Sequence, residues 1–326
     1  IMKKNIAVVM GGYSSEHEIS IKSGTVVAKH IDPELFNSYA IHILKDRWLY
    51  VDGNEAAHDI DKHDFSVTIG GDKINFDFVF NVIHGTPGED GTLLAYFDLL
   101  NIPYSSAPFY QMALTFNKRD CLSVAKNFGI ATATSIYLNR GDVVETDRIL
   151  EKVGLPCFVK PNKAGSSFGI SKVHKKEALA AAIEKAFVED SEILIESFLD
   201  GIEVSVGVVH YQQKTRVLPI TEIVSENDFF DYEAKYLGKS KEITPARISA
   251  IQKENVSKAA LHLYTSLQMS GFSRSEFILI GDLPFFLEMN TVPGMTEESL
   301  LPQQAACAGI PLQSLLTDTV LSKLKK

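Results

Sequence analysis

The feature that most constrains the fold is a continuously apolar run at residues 5–10 that ends directly in Gly11-Gly12. Such a run is typical of a strand that is buried on both faces of a parallel sheet. A helical pattern that includes Ile19 and Val27 follows the two glycines. The order of strand, glycine turn and helix therefore predicts an α/β domain, with free backbone N–H groups at a helix N-terminus where an anionic group binds well.

A second apolar strand is predicted at residues 76–83, and it ends in a glycine-rich turn at 84–91. Two parallel strands with such turns predict one shared crevice at their carboxyl ends, where open α/β sheets bind ligands. The first turn lacks the spacing G-x-G-x-x-G, so it gives little support to a dinucleotide site. Glu16, just after that turn, either contacts a ligand or partners the helix dipole, and on its own the residue favours the second interpretation.

Length and composition limit the class of protein. A chain of 326 residues predicts two or three domains. Its net charge of -9 excludes a protein that holds nucleic acid by bulk charge, so an anionic ligand needs local cations or a metal. The three cysteines, Cys121, Cys157 and Cys307, are far apart and argue against a disulfide framework and a zinc site. We expect a cytoplasmic protein with neither a signal peptide nor a membrane span.

A loop of small residues at 162–169 joins two predicted strands. It contains Gly165, Ser166 and Ser167, and Lys160 lies at its rim inside an apolar strand. Flexible glycines, hydroxyl donors and a cation are the properties of a loop that covers phosphates. A plain hairpin loop would not need a lysine within an apolar strand, so the sequence favours phosphate binding.

Two further features suggest a ligand site. Glu196 at the end of one predicted strand and Glu203 at the start of the next could bind a polar ligand between them, although each alone would be a surface acid. Residues 229–236 are aromatic and charged without clean periodicity, and they lie between a strand predicted at 217–224 and a helix predicted from about Pro245. A loop with such large side chains is often a lid.

Near the C-terminus, an apolar strand carries Glu288 and Asn290 on one face, with Leu287 predicted on the opposite face. Glu276 lies in a similar run upstream, and Gly281-Asp282 predicts a turn that folds the two runs into a hairpin. Two acids and an amide on adjacent strands suit Mg²⁺. For these residues alone, half-buried acids that pair with Lys or Arg remain an equal alternative.

Taken together, five segments closely resemble the D-alanine–D-alanine ligase family of the ATP-grasp superfamily, in that family's order and along the whole chain. These segments are residues 11–18, 84–92, 159–167, 232–236 and 288–296. The resemblance implies an α/β fold with α+β lobes, namely an ATP-grasp fold with an N-terminal Rossmann-like parallel α/β domain. It places three domains at 1–115, 116–205 and 206–326, with ATP between the last two. It also implies a homodimer that joins two D-alanines with ATP, through a D-alanyl phosphate, to make the dipeptide for peptidoglycan.

The resemblance also assigns roles to single residues. Those implied to bind ATP are Lys118, Lys160, Ser167, Glu196, Ser197, Phe198, Leu199, Glu203, Phe229, Lys235 and Leu287. Those implied to hold two Mg²⁺ ions, which Mn²⁺ could replace, are Glu276, Glu288 and Asn290. Those implied to be catalytic are Glu16, Ser166, Tyr236, Arg274 and Gly294. Those implied to bind the two D-alanines are Glu16, His84, Ser299 and Leu300.

Two positions bear on the details of this resemblance. Glu276 stands where the commoner family pattern has Asp, which predicts retained metal binding with altered ligand geometry. Tyr236 tends to be Phe in ligases that prefer D-lactate, so we expect a dipeptide product rather than a depsipeptide. The alternatives are another ATP-grasp ligase that joins a carboxylate to an amine, and a nucleotide-binding module without catalysis. Arg274 and Lys235 argue against the second, because a simple binder has no use for cations that stabilise a transition state.

Overall fold

The structure is a computed structural model that describes residues 2–165, 168–225 and 240–324. Its strands are β1 (Lys4–Gly11), β2 (Phe36–Ile43), β3 (Trp48–Val51), β4 (Ala57–Asp61), β5 (Ser66–Ile69), β6 (Asp72–Asn75), β7 (Phe78–Asn81), β8 (Ala131–Thr132), β9 (Ser135–Asn139), β10 (Cys157–Pro161), β11 (Ser171–Val173), β12 (Glu192–Ser197), β13 (Ile202–Tyr211), β14 (Lys214–Val217), β15 (Thr221–Ser225), β16 (Ser240–Ile243), β17 (Phe272–Ile280) and β18 (Leu283–Asn290). Its helices are α1 (His17–His30), α2 (Thr92–Leu99), α3 (Phe109–Phe116), α4 (Lys118–Asn127), α5 (Thr146–Val153), α6 (Leu179–Glu189), α7 (Ala250–Ser266), α8 (Leu300–Cys307) and α9 (Leu312–Leu324).

The first sheet has the strand order β6-β5-β4-β3-β2-β1-β7. Strand β1 pairs in parallel with both β2 and β7, so the glycine turns after β1 and β7 lie at the same edge of the sheet. This confirms the predicted crevice. Strands β3 to β6 extend the sheet with antiparallel pairing. The apolar pattern did not predict β4 and β6, because these two strands are short and largely exposed.

The second sheet is antiparallel, in the order β11-β10-β12-β9. Helices α5 and α6 pack on it and contribute Ile149, Ile183 and Phe187 to a hydrophobic cluster that lies wholly between residues 138 and 195. The strand predicted before the small-residue loop is β10, with Lys160 next to its last residue. This part of the chain therefore has a core of its own.

The third sheet has the order β16-β15-β13-β17-β18-β8, with β14 paired to β13. Strand β13 belongs to this sheet although it spans the domain limit expected at 205, and the limits 1–115, 116–205 and 206–326 stay predictions. A second hydrophobic cluster joins both ends of the chain, since Val8 and Met10 share it with Phe272 and Leu301. The first and third sheets are thus connected by a common core.

One local prediction was wrong. The strand predicted at 217–224 is divided between β14 and β15, which both pair with β13 in different registers. The helix predicted in the region after Pro245 is present as α7, and it begins at Ala250, where Ser249 and Gln252 form a capping box that fixes its N-terminus. Among the helices of the described part of the chain, none has the length and apolar character needed to cross a membrane.

Candidate functional site

A cavity of about 550 Å³ lies where the first and third sheets meet the loop after β10. This volume is in the range of small-molecule sites. The predicted site residues that line it are Glu16, His84, Lys118, Arg274, Glu288, Asn290, Gly294, Ser299 and Leu300. Residues that were predicted from distant parts of the sequence are thus brought to one cavity.

The turns after β1 and β7 form one wall of the cavity. The hydroxyl of Ser14 donates to the carbonyl oxygen of His84 over 2.9 Å. Gly85, at φ +66°, packs so closely that a Cβ there would lie 2.8 Å from the Ser14 hydroxyl oxygen. Only glycine fits this left-handed and crowded position. The glycine turn therefore fixes where Glu16 and His84 stand.

His84 is almost completely buried on this wall, with 4% of its surface exposed. Burial lowers the pKa of its imidazole, and the Arg274 guanidinium lowers it further, against an opposing effect of Glu16. Its Nε2 atom has no hydrogen-bond partner among the described residues. A buried polar atom of this kind needs a partner, so the neutral imidazole is suited to a bound ligand.

Glu89, which the sequence analysis did not single out, lies beside these residues with 8% of its surface exposed. Its Oε2 atom accepts a hydrogen bond of 2.9 Å from the backbone N–H of Gly85. Burial, followed by repulsion from Glu16, raises the pKa of Glu89 to about 8. Glu89 is therefore largely protonated at neutral pH. Its place within the turn 84–91 was the signal that could have found it.

The hairpin of β17 and β18 forms the opposite wall. Glu276 stands across from Glu288, and Arg274 stands across from Asn290. The register shifts after Glu276, which makes Leu287 an extra residue on β18, between Phe286 and Glu288. The turn Gly281-Asp282 joins the two strands, as predicted.

The donor atoms of this hairpin fit a divalent cation. Two opposed carboxylates and an amide provide the oxygen ligands that Mg²⁺ prefers, with the remaining positions left to water and phosphate. In the described ranges no group of three or more His, Cys, Asp or Glu side chains could hold a metal, so a cation here would need Asn290 and ligand oxygens. Both acids also have cationic partners, as the alternative interpretation requires. Glu276 pairs with Arg274, and the Glu288 Oε2 atom lies 3.1 Å from the Lys118 Nζ atom.

Two of the predicted nucleotide residues, Lys160 and Glu196, pair with each other on neighbouring strands of the second sheet. The Lys160 Nζ atom lies 2.8 Å from the Glu196 Oε2 atom, and both side chains are mostly buried. Burial lowers the pKa of Lys160, but Glu196 outweighs this effect, with smaller contributions from Glu288 and Glu203, and the pKa lies above its ordinary value. Lys160 is therefore kept in its charged form by the neighbouring acids, and a charged ammonium group is what the phosphates of a ligand would need at this place.

The segment that follows Glu196 leaves the sheet. The Ser197 backbone N–H donates to the Thr134 carbonyl over 2.9 Å. The Phe198 ring lies 4.3 Å from the Lys172 Nζ atom, and Leu199 is half-buried. The predicted adenine segment therefore runs along the end of β12, outside the cavity described above.

The loop after β10 touches both walls of the cavity. The Ala164 carbonyl accepts a hydrogen bond of 2.8 Å from the Lys118 Nζ atom. A Cβ atom on Gly165 would lie 2.2 Å from the Glu16 Oε2 atom, so the backbone of this loop rests directly on that carboxylate. The loop that is predicted to cover the phosphates thus contacts Glu16, the side chain that is predicted to bind the first D-alanine.

The N-terminus of α8 also lines the cavity. Ser299 precedes the first helical residue, Leu300, and its hydroxyl lies 2.8 Å from the Thr296 hydroxyl. A Cβ on Gly294 would lie 2.6 Å from the Ser299 Oγ atom, so glycine is needed for this close packing. Backbone N–H groups at a helix N-terminus suit a carboxylate.

The turn after β1 is also tied to the first sheet. The Trp48 Nε1 atom donates to the Tyr13 hydroxyl over 3.1 Å, and the Tyr13 backbone N–H donates to the Thr86 carbonyl over 2.8 Å. These contacts connect the two glycine turns to each other and to β3. The position of Glu16 therefore depends on the packing of the whole first sheet.

Some predictions are not placed by the structure, and some cavity residues were not predicted. Ser166, Ser167, Phe229, Lys235 and Tyr236 lie outside the described residues. The cavity also includes Lys22, Thr115, Glu242 and Glu298, which the sequence analysis missed. For Lys22 a signal existed, since Glu16, Ile19 and Lys22 follow each other at the three-residue spacing of one helix face.

The fold and this site define an ATP-grasp enzyme. The loop after β10 of the second sheet faces the β17–β18 hairpin of the third sheet, which carries the two carboxylates. Family models narrow this class. The model described as "D-ala D-ala ligase N-terminus" matches residues 5–107, and "D-ala D-ala ligase C-terminus" matches residues 124–321. The chain belongs to the D-alanine–D-alanine ligase family.

Individual relatives agree with this assignment. A D-alanine–D-alanine ligase of Flavobacterium johnsoniae is 62% identical over 317 residues, which cover 97% of this chain and 98% of that protein. The solved structure of D-alanyl-alanine synthetase A from Vibrio cholerae has a TM-score of 0.89 at 26% identity and covers 100% of both chains. The D-alanine–D-alanine ligase of Bacillus anthracis, solved with ATP, has a TM-score of 0.79 at 29% identity and covers 99% of this chain and 97% of that one.

Proposed function

We infer that the protein is an ATP-dependent ligase that joins two D-alanines into D-alanyl-D-alanine for peptidoglycan precursor synthesis, with release of ADP and phosphate. The observation that carries this inference is the single cavity in which Glu16 and His84 face Lys118, Arg274 and Glu288. One wall suits the ammonium and carboxylate of an amino acid, and the other suits phosphates. Family membership identifies the amino acid as D-alanine.

The cations of the cavity suit the first half of the reaction. A carboxylate is a poor electrophile, so transfer of the γ-phosphoryl group to one of its oxygens creates a leaving group. We propose that Lys118 and Lys160 hold the phosphates and that Arg274 stabilises the charge on the D-alanyl phosphate. Two Mg²⁺ ions, for which Mn²⁺ could substitute, would be held by Glu276, Glu288 and Asn290 and would neutralise charge on the transferred phosphoryl group.

The remaining residues suit the second half. Glu16 would bind the ammonium of the first D-alanine, and the N-terminus of α8 at Ser299 and Leu300 would bind the carboxylate of the second. The free amine of the second D-alanine then forms a bond from its nitrogen to the acyl carbon, phosphate leaves with the electrons of the broken C–O bond, and the nitrogen releases one proton to give the neutral amide. The backbone N–H of Gly294 would donate to the oxyanion that forms in between.

Further parts of the proposal concern the predicted lid and the setting of the enzyme. We propose that Glu16, Ser166 and Tyr236 form a hydrogen-bonded set that closes the site, and that Phe229 and Lys235 contact the nucleotide. We also propose a homodimer in a reducing cytoplasm, in keeping with the free thiols of Cys121, Cys157 and Cys307. Glu203 and Leu287 complete the proposed nucleotide site beside Ser197, Phe198 and Leu199.

The decisive experiment compares phosphate release from ATP and Mg²⁺ in the presence of D-alanine and of L-alanine, with mass spectrometry of the product. We expect release with D-alanine only, and a product with the mass of the dipeptide. Phosphate release that is the same with and without D-alanine would overturn the proposal. Adding D-lactate tests the alternative product, and a depsipeptide that predominates at neutral pH would contradict the dipeptide specificity.

A matched pair of variants tests the substrate wall. Glu16→Gln removes a buried charge next to the proposed ammonium site, whereas Glu18→Gln removes an exposed charge two residues later on α1. A hydrogen bond to a charged group contributes about 1.5–3 kcal/mol. We therefore expect E16Q to lower kcat/KM for D-alanine by roughly 10- to 100-fold. E18Q should stay close to the wild type, and equal effects of the two variants would count against the role of Glu16.

A further inference from the structure

Asn162 is a buried polar residue next to the site, with 1% of its surface exposed. It directly follows β10 and begins the loop that contains Ala164 and Gly165. The sequence gives no special weight to this residue, and it does not line the cavity. Its contacts, however, connect the loop to Lys118.

The backbone of Asn162 forms hydrogen bonds in two directions. Its N–H donates to the Glu192 carbonyl oxygen over 2.9 Å, which continues the pairing of β10 with β12. Its carbonyl oxygen accepts a hydrogen bond of 3.3 Å from the Lys118 backbone N–H. Asn162 therefore lies between the second sheet and the first residue of α4.

The side chain of Asn162 also connects the second sheet to the N-terminus of α4. Its Oδ1 atom accepts a hydrogen bond of 2.8 Å from the Arg119 backbone N–H. Its Nδ2 atom donates to the Asn117 Oδ1 atom over 2.9 Å and to the Glu192 Oε2 atom over 2.7 Å. The side chain thus fills both its acceptor and its donor roles, with the N-terminus of α4 on one side and β12 on the other.

The same loop holds the other end of Lys118. The Lys118 Nζ atom donates to the Ala164 carbonyl oxygen over 2.8 Å and lies 3.1 Å from the Glu288 Oε2 atom. One residue later, Gly165 rests on the Glu16 carboxylate. Lys118 is therefore fixed at its backbone by Asn162 and at its ammonium group by Ala164, within one short loop.

We propose that Asn162 is a positioning residue that sets where Lys118 and the loop 162–165 stand relative to each other, and thereby sets the affinity for ATP. This proposal rests on the function proposed above, in which Lys118 contacts the phosphates. An asparagine is required because the position needs one acceptor for Arg119 and donors for two oxygen atoms. Alanine supplies neither. Aspartate keeps the acceptor but places a second carboxylate against Glu192.

The test uses Asn162→Ala, Asn162→Asp and the double variant Asn162→Asp with Glu192→Gln. In the double variant, the amide introduced at position 192 can donate to the carboxylate introduced at position 162, which restores one hydrogen bond with its direction reversed. Asn139→Asp is the matched control. Asn139 lies on the same sheet, is exposed, and also donates from Nδ2 to a carboxylate, that of Asp142 over 3.2 Å.

The primary readout is the affinity for ATP with Mg²⁺, measured by calorimetry without D-alanine on protein whose folded fraction is checked by thermal unfolding. We expect N162A and N162D to weaken ATP binding at least tenfold, and the double variant to recover at least threefold over N162D. In turnover, the KM for ATP should rise while the KM for the second D-alanine changes less than twofold, because Ser299 is not among the residues that Asn162 contacts. N139D should bind ATP like the wild type.

Two results would overturn the proposal. One is wild-type ATP affinity in folded N162A. The other is a double variant that binds ATP no better than N162D. If the wild type binds ATP but does not respond to D-alanine, the proposed function fails while the role of Asn162 is still measured. A wild type that binds no ATP would overturn both.

Discussion

At the scale of single residues, the site is built from charged groups whose burial sets their protonation. Glu16 and Glu89 are both buried on the same wall, with 7% and 8% of their surfaces exposed. Two carboxylates this close in a dry environment do not both stay ionised easily. Because the pKa of Glu89 is raised to about 8, Glu89 is largely protonated at neutral pH.

The raised pKa of Glu89 predicts a pH-dependent stability. The unfolded chain has an ordinary carboxyl pKa of about 4.3, and the folded state binds the proton more tightly, up to a pKa of about 8. Between these values the unfolded state holds fewer protons, so the free energy of unfolding falls as the pH rises, by at most about 1.4 kcal/mol per pH unit. We expect Glu89→Gln, which can still accept from Gly85, to remove this slope.

Thermal unfolding of the wild type and E89Q at pH 5, 6, 7, 8 and 9 checks this prediction. The Tm difference in favour of E89Q should grow with pH and level off above about 8. E18Q serves as the exposed control and should follow the wild type. Parallel curves for the wild type and E89Q would contradict the raised pKa.

At the scale of elements, the hairpin β17–β18, the loop after β10 and the N-terminus of α8 each bring one chemical group to the cavity. The loop depends most on close contact, because Gly165 meets the Glu16 carboxylate without room for a side chain. Its backbone is not in the left-handed region, so a substitution there is opposed by contact alone. Gly53, in contrast, has open space around it and also lies outside the left-handed region.

This contrast predicts different results for Gly165→Ala and Gly53→Ala. In G165A the new methyl group must displace the loop or Glu16, so we expect kcat/KM to fall at least tenfold. Because an overpacked contact costs about 1–3 kcal/mol, its Tm should fall only modestly. G53A should keep wild-type kinetics and stability. Steady-state kinetics and thermal unfolding of both variants test this, and wild-type activity in G165A would show that the contact is not needed.

At the scale of the whole molecule, the hydrophobic clusters do not follow the order of residues along the chain. One cluster lies entirely between residues 138 and 195, around α5, α6 and the second sheet. Another combines residues from both ends of the chain, such as Met10 and Leu301. The second sheet also places Leu194 in the large cluster that contains residues of the first and third sheets, such as Val9 and Phe277. We therefore expect it to lose structure more readily than the first and third sheets, but not in complete isolation from them.

Hydrogen exchange followed by mass spectrometry tests this division. Ile183 and Leu301 are fully buried members of the two clusters, and truncation to alanine at such sites costs about 2–5 kcal/mol. We expect Ile183→Ala to raise exchange mainly within residues 138–195. Leu301→Ala should raise exchange at both ends of the chain together. Increased exchange confined to the C-terminal part in L301A would contradict a shared core.

The sequence predicted what depends on local pattern. The apolar run of β1 and the hairpin of β17 and β18 follow from neighbouring residues, and the structure contains them. The extra residue Leu287 could not be predicted, because a register shift depends on the partner strand.

Contacts between distant residues were also beyond local pattern. Asn162 meets the N-terminus of α4 across about 45 residues, and the Met295 backbone N–H donates to the Ser23 hydroxyl of α1 across far more, so the pattern of either segment alone does not show the contact. The roles implied by the family resemblance for the site residues stay predictions, although nine of them line one cavity.

The hydrogen bond between Trp48 and Tyr13 has a practical consequence. The sequence contains one tryptophan, and its indole is joined to the residue that follows the first glycine turn. Intrinsic fluorescence excited at the indole band therefore comes from a single chromophore that is hydrogen-bonded to the segment leading to Glu16. A movement of that turn on binding would change the emission without any added label, so the enzyme contains its own optical probe of the substrate wall.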